Sequence, residues 1–227
     1  MNFEAMTTRV KICCIGSVEE ARTAIELGAD AIGLVAKMPS GPGPIQDDLI
    51  YRIAKGVPPA VATFLLTSET SAVEIIKHHG RTETNTIQIV DLLSEGSYSM
   101  IKDALPSVRI VQVIHVIDEA SVDLAIRLSG EVDALLLDSG NPNLRVKELG
   151  GTGRVHDWNL SNQIRENALC PVFLAGGLKP GNVKEAIEAV NPYAIDVCSG
   201  VRTNGALDRE KAAAFIANIR QADKERS

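Results

Sequence analysis

Short apolar runs alternate with amphipathic stretches along nearly the whole chain. The apolar runs are typical of strands buried on both faces, and the stretches between them place apolar residues on one helix face. Strands are predicted at 9–15, 31–35, 60–66, 86–90, 108–116, 133–138, 171–175 and 194–198. Helices are predicted at 17–28, 47–56, 69–79, 96–105, 118–128, 158–167, 180–189 and 208–222.

This alternation predicts an α/β fold with right-handed crossovers and a parallel sheet. Eight strand–helix units in 227 residues favour one (β/α)8 TIM barrel over residues 1–227, with residues 1–8 as a flexible N-terminal extension. The alternative is an open, doubly wound sheet. That fold usually carries GxGxxG after its first strand, where this chain has Cys13-Cys-Ile-Gly-Ser17.

Two helix starts carry recognisable local signals. Ser17 can cap the first helix, and Glu20 follows three residues later, as in a capping box. Pro180 is suited to the first turn of the seventh helix, where its missing N–H costs nothing.

Composition narrows the class of protein. The chain is 45% apolar but only 4% aromatic, which predicts a core of Ile, Val, Leu and Ala. The net charge is −6 and there is no run of Lys or Arg, which argues against a nucleic-acid partner. No apolar run reaches the roughly 20 residues of a membrane span, and the N-terminus lacks the apolar core of a signal peptide. We therefore expect a cytoplasmic protein with no membrane partner.

The four cysteines are Cys13, Cys14, Cys170 and Cys198. They are too few for a disulfide scaffold, and they lack a CxxC pair or the His spacing of a zinc site. We expect them to be cytosolic thiols, and we expect no metal.

Polar residues lie at the predicted strand ends, which in this fold form one catalytic rim. Cys13 ends strand one, Gln88 lies in strand four, Asp138 ends strand six and Asp196 lies in strand eight. Glycines follow the last two strands, at Gly176, Gly177 and, after Ser199, Gly200. Backbone N–H groups in such loops bind phosphate, so a phosphorylated small molecule is the predicted ligand.

The pair of Cys13 and Asp138 suggests proton transfer. A thiolate can act as a base when a nearby cation lowers its pKa, and Lys11 lies two residues earlier on the same face. An acid and a base above a phosphate site favour an isomerase or an aldolase. No lysine stands at a late strand end to form a Schiff base, which weakens the aldolase.

At these residues the chain resembles the phosphoribosylanthranilate isomerase family. The resemblance rests on Val10-Lys-Ile-Cys13, 27–34, Leu135–Ser139, Gly150–Gly153, Asp157-Trp158, 174–183 and 196–202. It implies a (β/α)8 barrel, an Amadori rearrangement in tryptophan biosynthesis, no cofactor, and a monomer or homodimer. It also implies roles for individual residues. Asp138 would be the general acid, Cys13 the general base, and Gly176, Gly177, Ser199 and Gly200 the phosphate cradle. Lys11, Gln88, Gly151, Arg154 and Asp196 are further candidates for substrate binding.

The chain departs from the family's pattern at several positions. Cys14 replaces a glycine, and Met38-Pro-Ser-Gly41 lacks the arginine that holds the anthranilate carboxylate. Val90 replaces a histidine, and Arg202 replaces a glutamate. Two alternatives therefore stay open: an isomerase or lyase for another phosphosugar, and a barrel that binds a phosphate ligand without catalysis.

Overall fold

The structure is a computed structural model, and it describes residues 7–141, 144, 147–149, 153 and 155–226. Eight parallel strands close a barrel in the order β1 to β8, so the predicted fold is confirmed. The strands are β1 (Arg9–Ile12), β2 (Ala31–Val35), β3 (Ala62–Thr67), β4 (Thr86–Ile89), β5 (Arg109–His115), β6 (Ala134–Asp138), β7 (Val172–Leu174) and β8 (Ala194–Val197). The chain closes the barrel by pairing β1 with both β2 and β8.

In the described part of the chain, eight α-helices surround the barrel. They are α1 (Val18–Glu26), α2 (Asp47–Gly56), α3 (Ala72–Thr82), α4 (Tyr98–Ala104), α5 (Glu119–Leu128), α6 (Trp158–Asn167), α7 (Val183–Val190) and α8 (Arg209–Arg226). A short 3-10 helix, Ser199–Val201, follows β8 and leads into a two-stranded ribbon of β9 (Arg202–Thr203) and β10 (Ala206–Leu207). Neither the 3-10 helix nor the ribbon was predicted.

The core has two parts because neighbouring residues of a strand face opposite sides. In β6, Leu135 and Leu137 pack outward against the helices, and Ala134 and Leu136 pack inside the barrel. Asp138 has the inward parity of Ala134 and Leu136, so the alternation of the strand carries its carboxylate to the rim. The same parity turns Lys11 inward, because its neighbours Val10 and Ile12 belong to the outer layer.

Several predicted boundaries are wrong. β1 ends at Ile12 and not at residue 15, because Cys14 takes a left-handed backbone angle (φ 62°) that a strand does not accommodate. α7 begins at Val183 and not at Pro180. The Lys179 N–H donates to Asn182 Oδ1 (2.8 Å), which forms a turn ahead of the helix and places Pro180 in that turn.

At the N-terminus, Thr8 is not part of a free extension. It is buried, and its hydroxyl donates to Asp223 Oδ1 at 2.6 Å in α8. For residues 1–6 the prediction of a flexible segment falls outside the described part of the chain. No helix among the described residues has both the length and the apolar character needed to cross a bilayer.

Candidate active site

A cleft of about 700 Å³, its mouth included, opens at the carboxyl ends of the strands. The described residues that line it include most of the predicted site: Cys13, Gln88, Asp138, Gly176, Gly177, Asp196 and Ser199. They come from β1, β4, β6, β7, β8 and the segments that follow these strands. The fold therefore brings together the groups that the sequence placed at strand ends.

Asp138 is the last residue of β6 and is 9% exposed. The Ser139 N–H donates to its Oδ1 at 2.7 Å, and the Ser139 hydroxyl is 3.5 Å from the same oxygen. These contacts hold one carboxylate oxygen in place. The side chain is thus oriented at the wall of the cleft, which a general acid requires.

Cys13 follows β1 directly, and its N–H donates to the Val197 carbonyl at 2.8 Å, which prolongs the pairing with β8. Its thiol is free and 5% exposed. Gly33 of β2 leaves the space for it, since a Cβ at that position would be 2.7 Å from Cys13 Sγ and 3.2 Å from Lys11 Nζ. The glycine is therefore needed where the Cys13 thiol and the Lys11 ammonium meet.

Lys11 and Asp196 form a buried ion pair inside the barrel. They are register partners in β1 and β8, and Lys11 Nζ lies 2.9 Å from Asp196 Oδ1. Lys11 is 0% exposed, and its ammonium also lies 5.1 Å from the centre of the Phe64 ring. Because the two strands are adjacent, each residue supplies the opposite charge without which burial of the other would be unfavourable.

These three groups influence one another's protonation. Burial raises the pKa of the Cys13 thiol to about 11, although the Lys11 ammonium acts in the opposite direction. Burial disfavours the Lys11 ammonium, but the charges of Asp196 and the Cys13 thiolate outweigh it, so the pKa of Lys11 is raised. The expectation that Lys11 lowers the pKa of Cys13 overall is therefore wrong, because desolvation is the larger effect.

Gln88 is 3% exposed and borders the cleft. Its side-chain oxygen is buried, and no partner for it occurs within the described ranges. A buried amide oxygen without a hydrogen bond costs about 1–3 kcal/mol. This atom is thus a suitable acceptor for a hydroxyl or N–H group of a ligand.

Gly176, Gly177 and Ser199 of the predicted phosphate cradle line the cleft, whereas Gly200 is not among the lining residues. Gly176 and Gly177 have left-handed backbone angles (φ 82° and 64°). Gly200 lies against the Leu178 carbonyl so closely that a Cβ would overlap it. Ser199 and Gly200 begin the 3-10 helix after β8. Both loops therefore have backbone shapes that favour glycine and leave main-chain groups near the cleft.

Two of the predicted substrate contacts, Gly151 and Arg154, lie outside the described residues and stay predictions. The described part of the same loop does reach the cleft. Leu149 and Gly153 line it, and a Cβ on Gly153 would be 3.9 Å from Ser199 Oγ.

The wall after β2 differs from the family's pattern in the way the sequence suggested. Met38, Ser40, Gly41 and Pro42 form it, and neither arginine nor lysine occurs among the described lining residues. Lys37, the nearest cation in sequence, borders a separate surface cleft with Arg81. This wall is suited to an aromatic ring but does not neutralise a carboxylate.

The prediction that all cysteines are thiols is wrong for two of them. Cys14 and Cys198 form a disulfide, with their Cα atoms 5.8 Å apart. β1 and β8 are neighbours in the barrel, so the residues just after them come within the usual reach of a disulfide. Each cysteine follows one of the two strands that pair when the barrel closes, and this was the signal available in the sequence.

An ion pair beside this disulfide carried no signal in the sequence. Arg202 Nη2 lies 2.9 Å from Glu20 Oε2 and also donates to the carbonyls of Cys13 and Cys14. Glu20 accepts from the Gly16 N–H at 2.9 Å, while Ser17 Oγ accepts from the Glu20 N–H at 3.1 Å. The predicted cap at Ser17 is confirmed, and its acidic partner serves a wider network.

His156 is a second group that carried no signal in the sequence. A Cβ on Gly176 would be 2.9 Å from its Nδ1, so the imidazole lies against the β7 loop. Its Nε2 is 2.6 Å from Ser161 Oγ. Burial lowers the pKa of His156, and the charge of Asp138 acts against that shift. The neutral ring therefore helps to shape the surroundings of Asp138.

Comparisons with known proteins agree on one family. A family model described as N-(5'-phosphoribosyl)anthranilate (PRA) isomerase matches residues 10–218. The N-(5'-phosphoribosyl)anthranilate isomerase of Methanosarcina acetivorans is 38% identical over 229 aligned positions, covering 94% of this chain and 93% of the relative. The isomerase of Haloarcula marismortui is 35% identical over 217 positions, covering 95% and 97%.

Solved structures give the same result. The phosphoribosyl anthranilate isomerase of Thermotoga maritima is 28% identical with a TM-score of 0.78, covering 94% of this chain and 99% of that one. A phosphoribosyl anthranilate isomerase in complex with reduced 1-(o-carboxyphenylamino)-1-deoxyribulose 5-phosphate is 26% identical, with a TM-score of 0.75 and the same coverage.

Proposed function

The chain belongs to the N-(5'-phosphoribosyl)anthranilate isomerase family, and we propose that it catalyses that isomerisation in tryptophan biosynthesis. The reaction is the Amadori rearrangement of N-(5-phosphoribosyl)anthranilate to 1-(2-carboxyphenylamino)-1-deoxyribulose 5-phosphate. The observation that carries the proposal is the meeting of Cys13 and Asp138 in one cleft that also contains the glycine loops after β7 and β8. The substrate is thus a small phosphorylated sugar derivative.

Asp138 is the proposed general acid. It gives its proton to the ring oxygen of the ribose, the C1′–O bond breaks, and the nitrogen lone pair forms the iminium. The hydrogen bond from the Ser139 N–H to Oδ1 (2.7 Å) fixes one oxygen of the carboxylate. The other oxygen is left to carry the proton, so the orientation of the acid is set before the substrate arrives.

Cys13 is the proposed general base. Its thiolate removes the C2′ proton of the iminium, which gives an enolamine that tautomerises to the ketone. With a pKa of about 11 the thiol is protonated at neutral pH in the empty site. The charge of Lys11 favours the thiolate, so this buried cation is the group on which base formation depends. Lys11 is accordingly a positioning residue that acts through Cys13.

The phosphate end of the substrate is proposed to bind at Gly176, Gly177, Ser199 and Gly200. Their backbone N–H groups supply donors without a cationic side chain. Gly153 lies near Ser199, so the β6–α6 loop meets the cradle from the other side.

The rest of the substrate lies between Gln88 and the wall after β2. The unpartnered Gln88 oxygen is the proposed acceptor for a sugar hydroxyl. Val35, Met38 and Pro42 provide the apolar surface for the aromatic ring. For the carboxylate we keep Arg154, the residue after Gly153, as the proposed partner.

A second candidate is an isomerase or lyase for another phosphosugar. The observation in its favour is the wall of Met38, Ser40, Gly41 and Pro42, which holds no cation for a carboxylate. It predicts that inorganic phosphate competes with a substrate that lacks the anthranilate group. The retained acid and base argue against the third candidate, a barrel that binds phosphate without catalysis.

The deciding experiment is turnover of N-(5-phosphoribosyl)anthranilate by the purified protein, followed as loss of substrate fluorescence. Growth of a tryptophan auxotroph that lacks the isomerase provides an independent measurement. We expect turnover and rescue. An inactive, folded protein that also fails to rescue growth would refute the proposal. Light scattering checks the further expectation of a monomer or homodimer.

A further inference from the structure

The disulfide between Cys14 and Cys198 lies at the centre of the catalytic rim. Cys14 follows the proposed base Cys13, and Cys198 directly precedes Ser199 of the proposed phosphate cradle. Both cysteines line the cleft. One covalent bond therefore joins the segment that carries the base to the segment that binds the phosphate.

Three departures from the family's motifs meet at this place. Cys14 stands for the glycine after the catalytic cysteine, Cys198 for the first serine of D-V-S-S-G-V-E, and Arg202 for its glutamate. In the structure the first two are bonded to each other, and Arg202 donates to the Cys14 carbonyl. The bond thus brings together two of these positions, which lie 184 residues apart in the chain.

Main-chain pairing does not by itself hold the cradle. The β1–β8 ladder ends at Ile12 and Val197, and the Cys13 N–H adds one last bond to the Val197 carbonyl. Beyond that point the disulfide links the two segments, together with the hydrogen bonds from Arg202 to the Cys13 and Cys14 carbonyls. Gly43 packs on Cys14 as well, since a Cβ there would be 2.7 Å from Cys14 Cβ. The bond therefore joins the rim segments after β1 and β8, and the segment after β2 packs against it.

We propose that Cys14 and Cys198 are a thiol–disulfide modification site whose oxidised form holds the phosphate cradle in its binding shape. Reduction of the bond then weakens phosphate binding. This inference rests on the phosphate cradle of the proposed function and adds a redox dependence to it.

The chemistry needs only small-molecule thiols and disulfides. A thiolate attacks Sγ of Cys198, which is less buried than Cys14, a mixed disulfide forms, and Cys14 leaves as a thiolate that takes up a proton. A second thiol then releases Cys198, so two thiols become one disulfide and the protein gains two S–H groups. The reverse reaction uses a small-molecule disulfide such as oxidised glutathione.

Cys13 stays outside this exchange. Its sulfur points toward Gly33 and Lys11, whereas Cys14 packs on Gly43 and bonds to Cys198. The left-handed angle of Cys14 (φ 62°) separates the two neighbouring side chains. The base therefore stays a thiol in both redox states, and reduction changes phosphate affinity more than the proton transfer.

The expected size follows from the order that the bond imposes. Ordering an interface side chain costs about 0.5–1.5 kcal/mol, and 1.4 kcal/mol corresponds to tenfold in affinity. We expect the Ki for inorganic phosphate and the KM for the sugar substrate to rise about 3- to 10-fold on reduction, with kcat changed less than twofold.

The experiment compares wild-type protein equilibrated with dithiothreitol and with oxidised glutathione. Maleimide labelling and peptide mass spectrometry establish the state of each cysteine, and equilibrium binding of radiolabelled inorganic phosphate gives its Kd without any need for turnover. Phosphate is also expected to slow the reduction, because it covers Cys198. Equal Kd values for protein shown to be oxidised and reduced would overturn the inference, as would no phosphate binding in either state.

Two variants sharpen the result. Cys14→Gly removes the bond at a position whose left-handed backbone suits glycine, so it is expected to fold, to bind phosphate like the reduced wild type, and to ignore dithiothreitol. Cys170→Ser removes a free thiol remote from the cleft and is expected to keep the wild-type response. A phosphate Kd of Cys14→Gly that still differs between reducing and oxidising conditions would overturn the assignment of this disulfide as the redox site. Absence of turnover with a redox-dependent phosphate affinity would refute the proposed function and leave this inference standing.

Discussion

Replacing Lys11 with methionine separates the two roles of the buried ion pair. The substitution keeps most of the side-chain volume and removes the charge 2.9 Å from Asp196. Asp196 would then be a buried carboxylate without its cation. Removing one partner of such a pair costs roughly 3–5 kcal/mol.

That loss is measurable in a chain of this size. At about 2–4 °C per kcal/mol for 150–250 residues, the melting temperature of Lys11→Met should fall by roughly 6–20 °C. Adding Asp196→Asn removes the unpaired charge and should recover most of the loss. Arg9→Met is a matched control in the same strand, since its ion pair with Asp30 lies near the surface and is worth at most about 1 kcal/mol.

The double variant should regain stability without regaining activity. The ammonium favours the Cys13 thiolate, so its removal raises the thiol's pKa further, and each pKa unit lowers the thiolate fraction tenfold. We expect kcat/KM at neutral pH to drop at least about tenfold in Lys11→Met and to stay low in the double variant. Thermal unfolding and the pH profile of kcat/KM are the measurements. A double variant with wild-type activity would refute the role of Lys11 in forming the base.

Four more outcomes are expected. Cys13→Ala and Asp138→Asn should each lower kcat about 10²- to 10⁴-fold while phosphate affinity, measured by direct binding, stays unchanged; loss of binding instead would point to a structural role. In the wild type, the rate of Cys13 alkylation by iodoacetamide should rise close to tenfold per pH unit from about pH 7 to 9, because burial raises the pKa of the thiol to about 11 and the thiolate fraction grows until that value. An alkylation rate that levels off below pH 8 would contradict the raised pKa. Gln88→Leu should raise KM several-fold and, because it removes a buried unpartnered oxygen, should not destabilise the fold; urea titration checks this. Gly177→Ala and Gly28→Ala both strain a left-handed position by about 1–2 kcal/mol, but only the first should weaken phosphate binding.

The order of strands and helices was predictable because buried parallel strands and amphipathic helices differ in the spacing of their apolar residues. The predicted and observed bounds of β2, α2 and α6 coincide. Boundaries set by single contacts were not predictable. The turn closed by Lys179 and Asn182 has no periodic pattern, and it moved the start of α7.

For the site, the strand-end rule was enough to collect Cys13, Gln88, Asp138 and the glycine loops. This rule predicted where these residues lie but not the protonation state of Cys13. The spacing of Lys11 and Cys13 predicts a cation near a thiol. The depth of burial, which outweighs the effect of that cation on the thiol's pKa, is a property of the closed barrel. The Cys14–Cys198 bond follows from the sequence only once the barrel is taken as closed, because closure pairs the two strands that precede these cysteines.

The pairing of β1 with β8 has a consequence for how the protein is made. Strand β1 leaves the ribosome early, and its partner β8 comes almost last, so Lys11 has no counter-ion until Asp196 has been synthesised. A nascent chain that stops before β8 would have to bury a bare ammonium to close the barrel. The ion pair therefore couples completion of synthesis to completion of the fold.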